Sequence, residues 1–118
     1  MTTDASVPPL RSDCPVAGVL DLFGDKWTLL IIRDLLINQR HRYNEFAAMP
    51  EGIPTNILAD RLKRLVEQGV LEKVAYQQHP PRYEYYLTSK GRDLEPIIRS
   101  MIQWGLKHVP GAGKSKGY

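Results

Sequence analysis

The chain has 118 residues, enough for one domain and too few for two ordinary ones. Its 42% hydrophobic and 25% charged residues match a globular protein and exclude a disordered or collagen-like chain. Sixteen Lys and Arg against 13 Asp and Glu leave a net charge of +3, which permits a polyanionic partner without requiring one. Cys14 is the only cysteine, so an internal disulfide framework and a cysteine-based zinc knuckle are both ruled out, as suits a reducing compartment.

Residues 1–12 are expected to form a flexible arm, because Pro8-Pro9 and small polar residues cannot sustain periodic burial. The first ten residues carry Asp4 and no apolar core, so no signal peptide is expected. The longest apolar run, Trp27 to Ile32, falls far short of the roughly 20 residues a membrane span needs. A soluble, cytoplasmic protein with no membrane partner is the expectation.

Asp13 is placed to cap a first helix, with Pro15 in its first turn; Val16, Val19, Leu20 and Phe23 recur at helical spacing and Gly24 ends it. Lys26 to Ile37 follows as a helix apolar around most of its circumference, which predicts a central position. After a polar turn over Asn38–His41, a short helix runs from Arg42 or Tyr43 to Ala48 and is broken by Met49-Pro50-Glu51-Gly52.

Ile53 to Gln68 predicts the next helix, with Pro54 in its first turn and Gly69 as a left-handed stop. At about 100° per residue Leu58, Leu62 and Leu65 share one face, while Asn56, Asp60, Lys63 and Glu67 lie opposite. Beyond Gly69 the period changes from 3.6 to 2. Val70–Gln77 and Arg82–Thr88 read as a hairpin with Tyr83, Tyr85 and Leu87 on one face, and at least two of Tyr83, Tyr85 and Tyr86 are expected in its core. Thr88 caps a last helix of about twenty residues, kinked by Pro96 and ended by Pro110-Gly111. Residues 110–118 are expected to be a flexible tail.

This order predicts a mainly α fold with a β-hairpin wing (α+β), a winged helix-turn-helix over residues 13–109. The isolated hairpin would be marginal in water and must pack on the helices.

Catalysis is not indicated. His41, His79 and His108 are scattered, and no phosphate-binding, dinucleotide or nucleophile-elbow motif is present, so no enzyme, metal or cofactor is expected. Double-stranded DNA fits better. The helix from Pro54 to Gln68 would present Thr55, Asn56, Ala59, Asp60, Lys63 and Arg64 to a major groove. Arg61 and Arg64, at the margin of that face, are expected at phosphates, where Asp60 and Glu67 repel unless paired with Lys63 or Arg64. Arg40, His41, Arg42 and Tyr43 would hold the backbone, and His79 and Arg82 on the wing would reach a neighbouring groove. Excess apolar surface on Val16, Val19, Leu20 and Phe23, and on Ile98, Met101, Ile102 and Trp104, predicts a homodimer through the terminal helices. Its reading helices would lie about one DNA turn, roughly 34 Å, apart on a near-palindrome.

The residues carry a family resemblance. Cys14-Pro15-Val16 and the run Gly24-Asp25-Lys26-Trp27 through Leu35 resemble the opening of HxlR-type transcriptional regulators. Arg42-Tyr43-Asn44-Glu45-Phe46 resembles that family's Arg-aromatic-x-Glu-apolar start of the helix-turn-helix. Gly52-Ile53, Leu58, Arg61-Leu62, Leu65, Glu67 and Gly69-Val70-Leu71 resemble its recognition helix. Pro80-Pro81-Arg82-Tyr83-Glu84-Tyr85, Leu87-Thr88, Gly91, Leu94, Pro96 and Trp104 resemble its wing and last helix. The match covers about Asp13 to Gly105. Asn38-Gln39 stands where a glycine is common, and Pro54 where a Ser or Thr cap is common.

The resemblance implies a homodimeric DNA-binding regulator of nearby genes, with Cys14 as the residue through which oxidants or electrophiles would act. A thiol at a helix N-terminus is favoured as thiolate, and its oxidation could give a sulfenic acid, a mixed disulfide or a Cys14–Cys14 bridge. Two other readings remain open at this point. One is a small-molecule effector held in the dimer cleft near Trp27, Tyr85 or Trp104; the other is a protein-binding winged helix without a DNA role.

Overall fold

The structure, a computed structural model, describes residues 12–114. The expected arm therefore lies outside the described residues except for Ser12, and the expected tail except for residues 110–114, which form turns. Six helical segments and one antiparallel hairpin follow in chain order: α1 (Pro15–Phe23), α2 (Lys26–Leu36), α3 (Tyr43–Ala47), α4 (Thr55–Glu67), β1 (Leu71–Gln78), β2 (Pro81–Leu87), α5 (Ser89–Arg92) and α6 (Glu95–His108).

The predicted periodicities are realised at the core. Ile31, Ile32 and Leu35 of α2 are buried against Leu58, Leu62 and Leu65 of α4, with Phe23, Phe46, Met49, Ile53, Val70, Leu71, Leu94 and Ile98 completing one cluster. Helix α2 is central, touched by α1, α4 and α6, as its apolar circumference requires.

Helix α1 begins one residue later than its expected cap. Cys14, not Asp13, is the N-cap; its own backbone N–H donates to Ser12 Oγ at 3.0 Å. Asp25 caps α2, its Oδ1 accepting from Thr28 N at 3.0 Å and Oδ2 from the Thr28 hydroxyl at 2.6 Å. Pro54 is the N-cap of α4 rather than a first-turn residue, so that helix starts without a side-chain cap. Its end is closed by a Schellman pair: Val70 N donates to Leu65 O at 2.9 Å and Gly69 N to Val66 O at 3.0 Å, with Gly69 at φ +75°.

The expected twenty-residue last helix is in fact two. Thr88 caps only the single turn α5, its hydroxyl accepting from Gly91 N at 3.2 Å, and the chain turns at Asp93–Leu94 before α6. Pro96 is the physical reason: with no N–H to donate it belongs in a first turn, and the chain starts a new helix there instead of kinking an old one. Gly91 is required at the junction, because a Cβ there would run into the Val70 carbonyl and lie 2.8 Å from Leu87 Cδ2.

The hairpin pairs Leu71 with Leu87 and Val74 with Glu84, and a bulge between Ala75 and Gln77 leaves Tyr76 as the extra residue. Arg42 bridges to Glu84 from outside, so the residues before α3 extend the wing by one short rung. Tyr85 N donates to His41 O at 2.7 Å, fixing the wing to the start of α3. Of the tyrosines expected in the hairpin core only Tyr85 packs inward, edge-on to Phe46; Tyr83, nearer the wing tip, and Tyr86, on the other face of β2, are exposed.

Candidate nucleic-acid interface

Burying Leu58, Leu62 and Leu65 turns the opposite side of α4 outward, and Thr55, Asn56, Ala59, Asp60, Lys63 and Arg64 are all exposed on it. The wing stands beside this face: Ala59 and Lys63 of α4 share a hollow with Lys73 of β1 and Tyr85 of β2. His79 and Arg82 are exposed at the wing tip, where Gln77 Nε2 donates to Pro80 O at 3.0 Å. The side chains expected on the reading helix are thus brought onto one surface with the wing along its edge.

Several cations expected at phosphates are spent inside the protein instead. Arg61 turns away from the exposed face: its Nε donates to Asp25 Oδ1 at 3.2 Å and its Nη1 to Asp60. Burial works against its charge, but the bonds to Asp25 and Asp60 hold its pKa above the ordinary arginine value. Arg64 remains exposed, 3.7 Å from Asp60, so the acid that would repel a phosphate is itself paired.

The Arg40–Tyr43 cluster likewise makes contacts within the chain. Arg40 pairs at 3.3 Å with the buried Asp34. His41 places Nδ1 3.1 Å from the Tyr85 carbonyl and stacks on Tyr86 at 4.6 Å between ring centroids. Arg42 donates from Nε to Glu84 at 3.1 Å, with its guanidinium 3.9 Å over the Tyr76 ring. That hydrogen bond is the main reason its pKa lies above the usual value. Tyr43 donates its hydroxyl to Thr55 O at 3.1 Å, tying α3 to the start of α4. His41 and Arg42 run along β2 and so meet the wing, whereas Arg40 turns back to α2 and Tyr43 reaches across to α4.

Two acidic residues that sequence reasoning left unassigned orient the motif. Asp34, fully buried in α2, accepts from Arg33, Asn38 and Arg40 and so shapes the turn into α3. Arg33 reaches on to Glu51 in the loop before α4, and although burial opposes its charge, Glu51 and Asp34 hold its pKa well above the ordinary value. An acid inside the apolar stretch from Trp27 to Ile37 was the available signal: a buried carboxylate needs donors, and the next cations are adjacent.

On the terminal helices, Val16, Val19 and Leu20 of α1 and Met101 and Trp104 of α6 are exposed, Val16 and Trp104 to 66% and 64%. Phe23 and Ile98, expected in a subunit interface, are instead buried in the core of this chain at 6% and 4%, and Ile102 is half-buried beside Ile98. The reason is their position on the sides of α1 and α6 that face α2. Cys14 is exposed at the start of α1. Tyr85 lines the clefts beside the wing, and Trp104 a shallow face of α6. Among the described residues, no helix is long and apolar enough to cross a membrane and no three His, Cys, Asp or Glu side chains gather as a metal site.

Comparison with known proteins places this geometry. The HxlR-like helix-turn-helix family model matches residues 22–112. An HTH-type transcriptional regulator of Mycobacterium bovis is 42% identical over 95 residues, spanning 80% of this chain and 59% of the relative. The HTH-type transcriptional regulator YybR of Bacillus subtilis is 35% identical over 105 residues, 89% of this chain and 83% of YybR. The chain therefore spans under two thirds of the mycobacterial relative's length but most of YybR. Among solved structures, the redox regulator HypR in its reduced form superimposes with a TM-score of 0.71 at 36% identity, over 80% of this chain and 92% of HypR. The diamide-treated form of YodB from B. subtilis gives 0.61 at 28% identity, over 83% of this chain and 97% of YodB.

Proposed function

The chain belongs to the HxlR-like helix-turn-helix family, and from that premise we propose that it is a transcriptional regulator binding double-stranded DNA as a homodimer. The observation that carries this reading is the face of α4: six exposed small or polar side chains opposite a fully buried leucine stripe, flanked by the wing. Thr55 and Asn56, in the first turn, are near enough to backbone N–H groups for that end of the helix to take a phosphate or a base edge. Asn56, Ala59 and Lys63 would set sequence preference; Arg64, Arg82, His79 and the open side of Arg42 would add phosphate contacts. Asp60 holds Arg64 in place and lowers the net charge of the face, so affinity rests on few cations.

The functional unit in this reading is residues 13–109. Dimerisation is proposed through Val16, Val19 and Leu20 on α1 and Met101 and Trp104 on α6, large apolar side chains left exposed among the described residues. Phe23, Ile98 and Ile102 support that surface from beneath. Cys14, exposed at the start of the same helix α1, is proposed as the residue through which an oxidant acts. HypR, a redox regulator, is among the structures this chain resembles.

Selection of binding sites from random duplex DNA by the purified protein, with and without diamide, tests the reading. A near-palindromic consensus with half-sites about one helical turn apart is expected. Enrichment of no sequence, with salt-independent retention, would overturn it and favour a protein partner.

A further inference from the structure

We propose that the cleft between α4 and the wing binds a small aromatic monocarboxylate, one molecule per chain. Its volume is about 440 Å³, within the range of roughly 300–1,000 Å³ that small-molecule sites occupy. Ala59, Leu62 and Val66 of α4 form its floor, Leu62 being fully buried and Val66 half-buried. Tyr43 of α3 and Tyr85 of β2 stand over that floor; the same two rings line a second hollow of about 310 Å³ and so act as a partition between them. Their geometry is set from outside the cleft, Tyr43 by its bond to Thr55 O and Tyr85 by the edge contact with Phe46. A flat apolar body suits a slot with an aliphatic floor and aromatic walls.

The charged groups of the lining define the rest of the ligand. Lys63 and Lys73 contribute two positive charges and Glu67 one negative, a net of one. Lys73 holds its ammonium 4.1 Å over the Tyr83 ring. One carboxylate satisfies this balance, whereas a nucleotide polyphosphate would exceed it.

The consequence for DNA rests on the function proposed above. Ala59 and Lys63 belong both to this cleft and to the face offered to the major groove, so the occupant would cover one and neutralise the other. No movement between distant sites is needed; the ligand and DNA compete for the same surface.

The probe is 2-naphthoate, titrated into the full chain without DNA and followed by its fluorescence and by backbone amide shifts. Saturable one-to-one binding at about 1 mM or tighter is expected for a ligand of this size, with the largest shifts at Leu62–Glu67 and around Tyr85. The neutral analogue 2-naphthalenemethanol, and the doubly substituted Lys63→Gln/Lys73→Gln chain, should bind about ten-fold or more weakly if the carboxylate is recognised. Both lysines are exposed, so circular dichroism should show the variant folded. Absence of saturation, equal affinity in the double variant, or shifts confined to Pro96–Trp104 would overturn the site. In a second arm, 2-naphthoate should displace DNA selected by the wild-type protein, and displace it less from Lys73→Gln. Binding without displacement would overturn the competition. Failure to bind any DNA would end the functional reading and leave the DNA-free titration to decide the site alone.

Discussion

Arg61 on the proposed reading helix and Asp25 at the start of α2 are joined by an ion pair of 3.2 Å, and the same Asp25 oxygen caps α2 through Thr28 N. One carboxylate oxygen thus begins the central helix and fixes the pitch of α4 against it. Replacing Asp25 by Ala removes both and should destabilise the fold by about 1–2 kcal/mol, with Asp25→Asn keeping part of the cap and losing less. Burial pushes the Asp25 pKa up, but the bonds from Thr28 and Arg61 outweigh it and hold the carboxyl below its ordinary value. Its contribution is present above the unfolded-state pKa and is lost as pH falls through the lowered folded-state one; Glu45 and Glu51 shift in the same sense. Urea unfolding should show a smaller gap between wild type and Asp25→Ala at pH 3 than at pH 7. A gap independent of pH would detach the ion pair from stability.

DNA recognition separates into two kinds of contact. Arg64→Ala should weaken binding to all sequences about equally and reduce the salt slope by about one, as loss of a phosphate contact does. Asn56→Ala should relax preference at one base pair by about 1–3 kcal/mol. Comparing selected consensus sites for the two variants checks this, and an unchanged consensus in Asn56→Ala would move the groove-facing surface elsewhere.

The apolar face of α1 and α6 predicts its own test. Leu20→Glu and Trp104→Glu place a charge on side chains exposed in the protomer, so the helical signal should persist. Sedimentation should shift toward the monomer, and operator affinity should fall at least about ten-fold through loss of the second half-site. A variant that stays dimeric would exclude that helix from the interface.

Cys14 provides a redox prediction. Diamide can take two electrons and two protons from two Cys14 thiols, giving a disulfide across the dimer and the reduced hydrazine. Operator affinity should then change in wild type and return with dithiothreitol, while Cys14→Ser stays constant. The same response in both proteins would remove Cys14 from sensing.

Gln39 carries the opposite kind of prediction, a gain. It sits at φ +54° in the turn after α2, where side chains cost roughly 1–2 kcal/mol relative to glycine. Glycine is entropically costlier in the unfolded chain, so Gln39→Gly should net about 0.5–1 kcal/mol and raise Tm by a few degrees. The departure from glycine noted in the sequence at Asn38-Gln39 thus falls on a left-handed residue.

Much of the fold was legible because periodicity is local. Leu58, Leu62 and Leu65 recur every three or four residues and had to share a face, which left Thr55, Asn56, Ala59, Asp60, Lys63 and Arg64 outside wherever α4 packed. Gly69 could be read as a stop and the switch to period two as a hairpin for the same reason. The break at Asp93–Leu94 was harder to see, since Pro96 is compatible with either a kink or a new first turn and only the packing of α5 under Val70 selects the second.

By itself the sequence determined the type and order of the elements as far as the wing and the side of α4 that faces outward, because each follows from spacing within a few residues. Only the tertiary structure decided which charges remain available to a partner. Arg61 meets an acid 36 positions away, while Phe23 and Ile98 turn inward against α2. A charge or an apolar side chain is free or spent according to what the folded chain sets beside it. That neighbour is a property of three-dimensional closure, which no local repeat encodes.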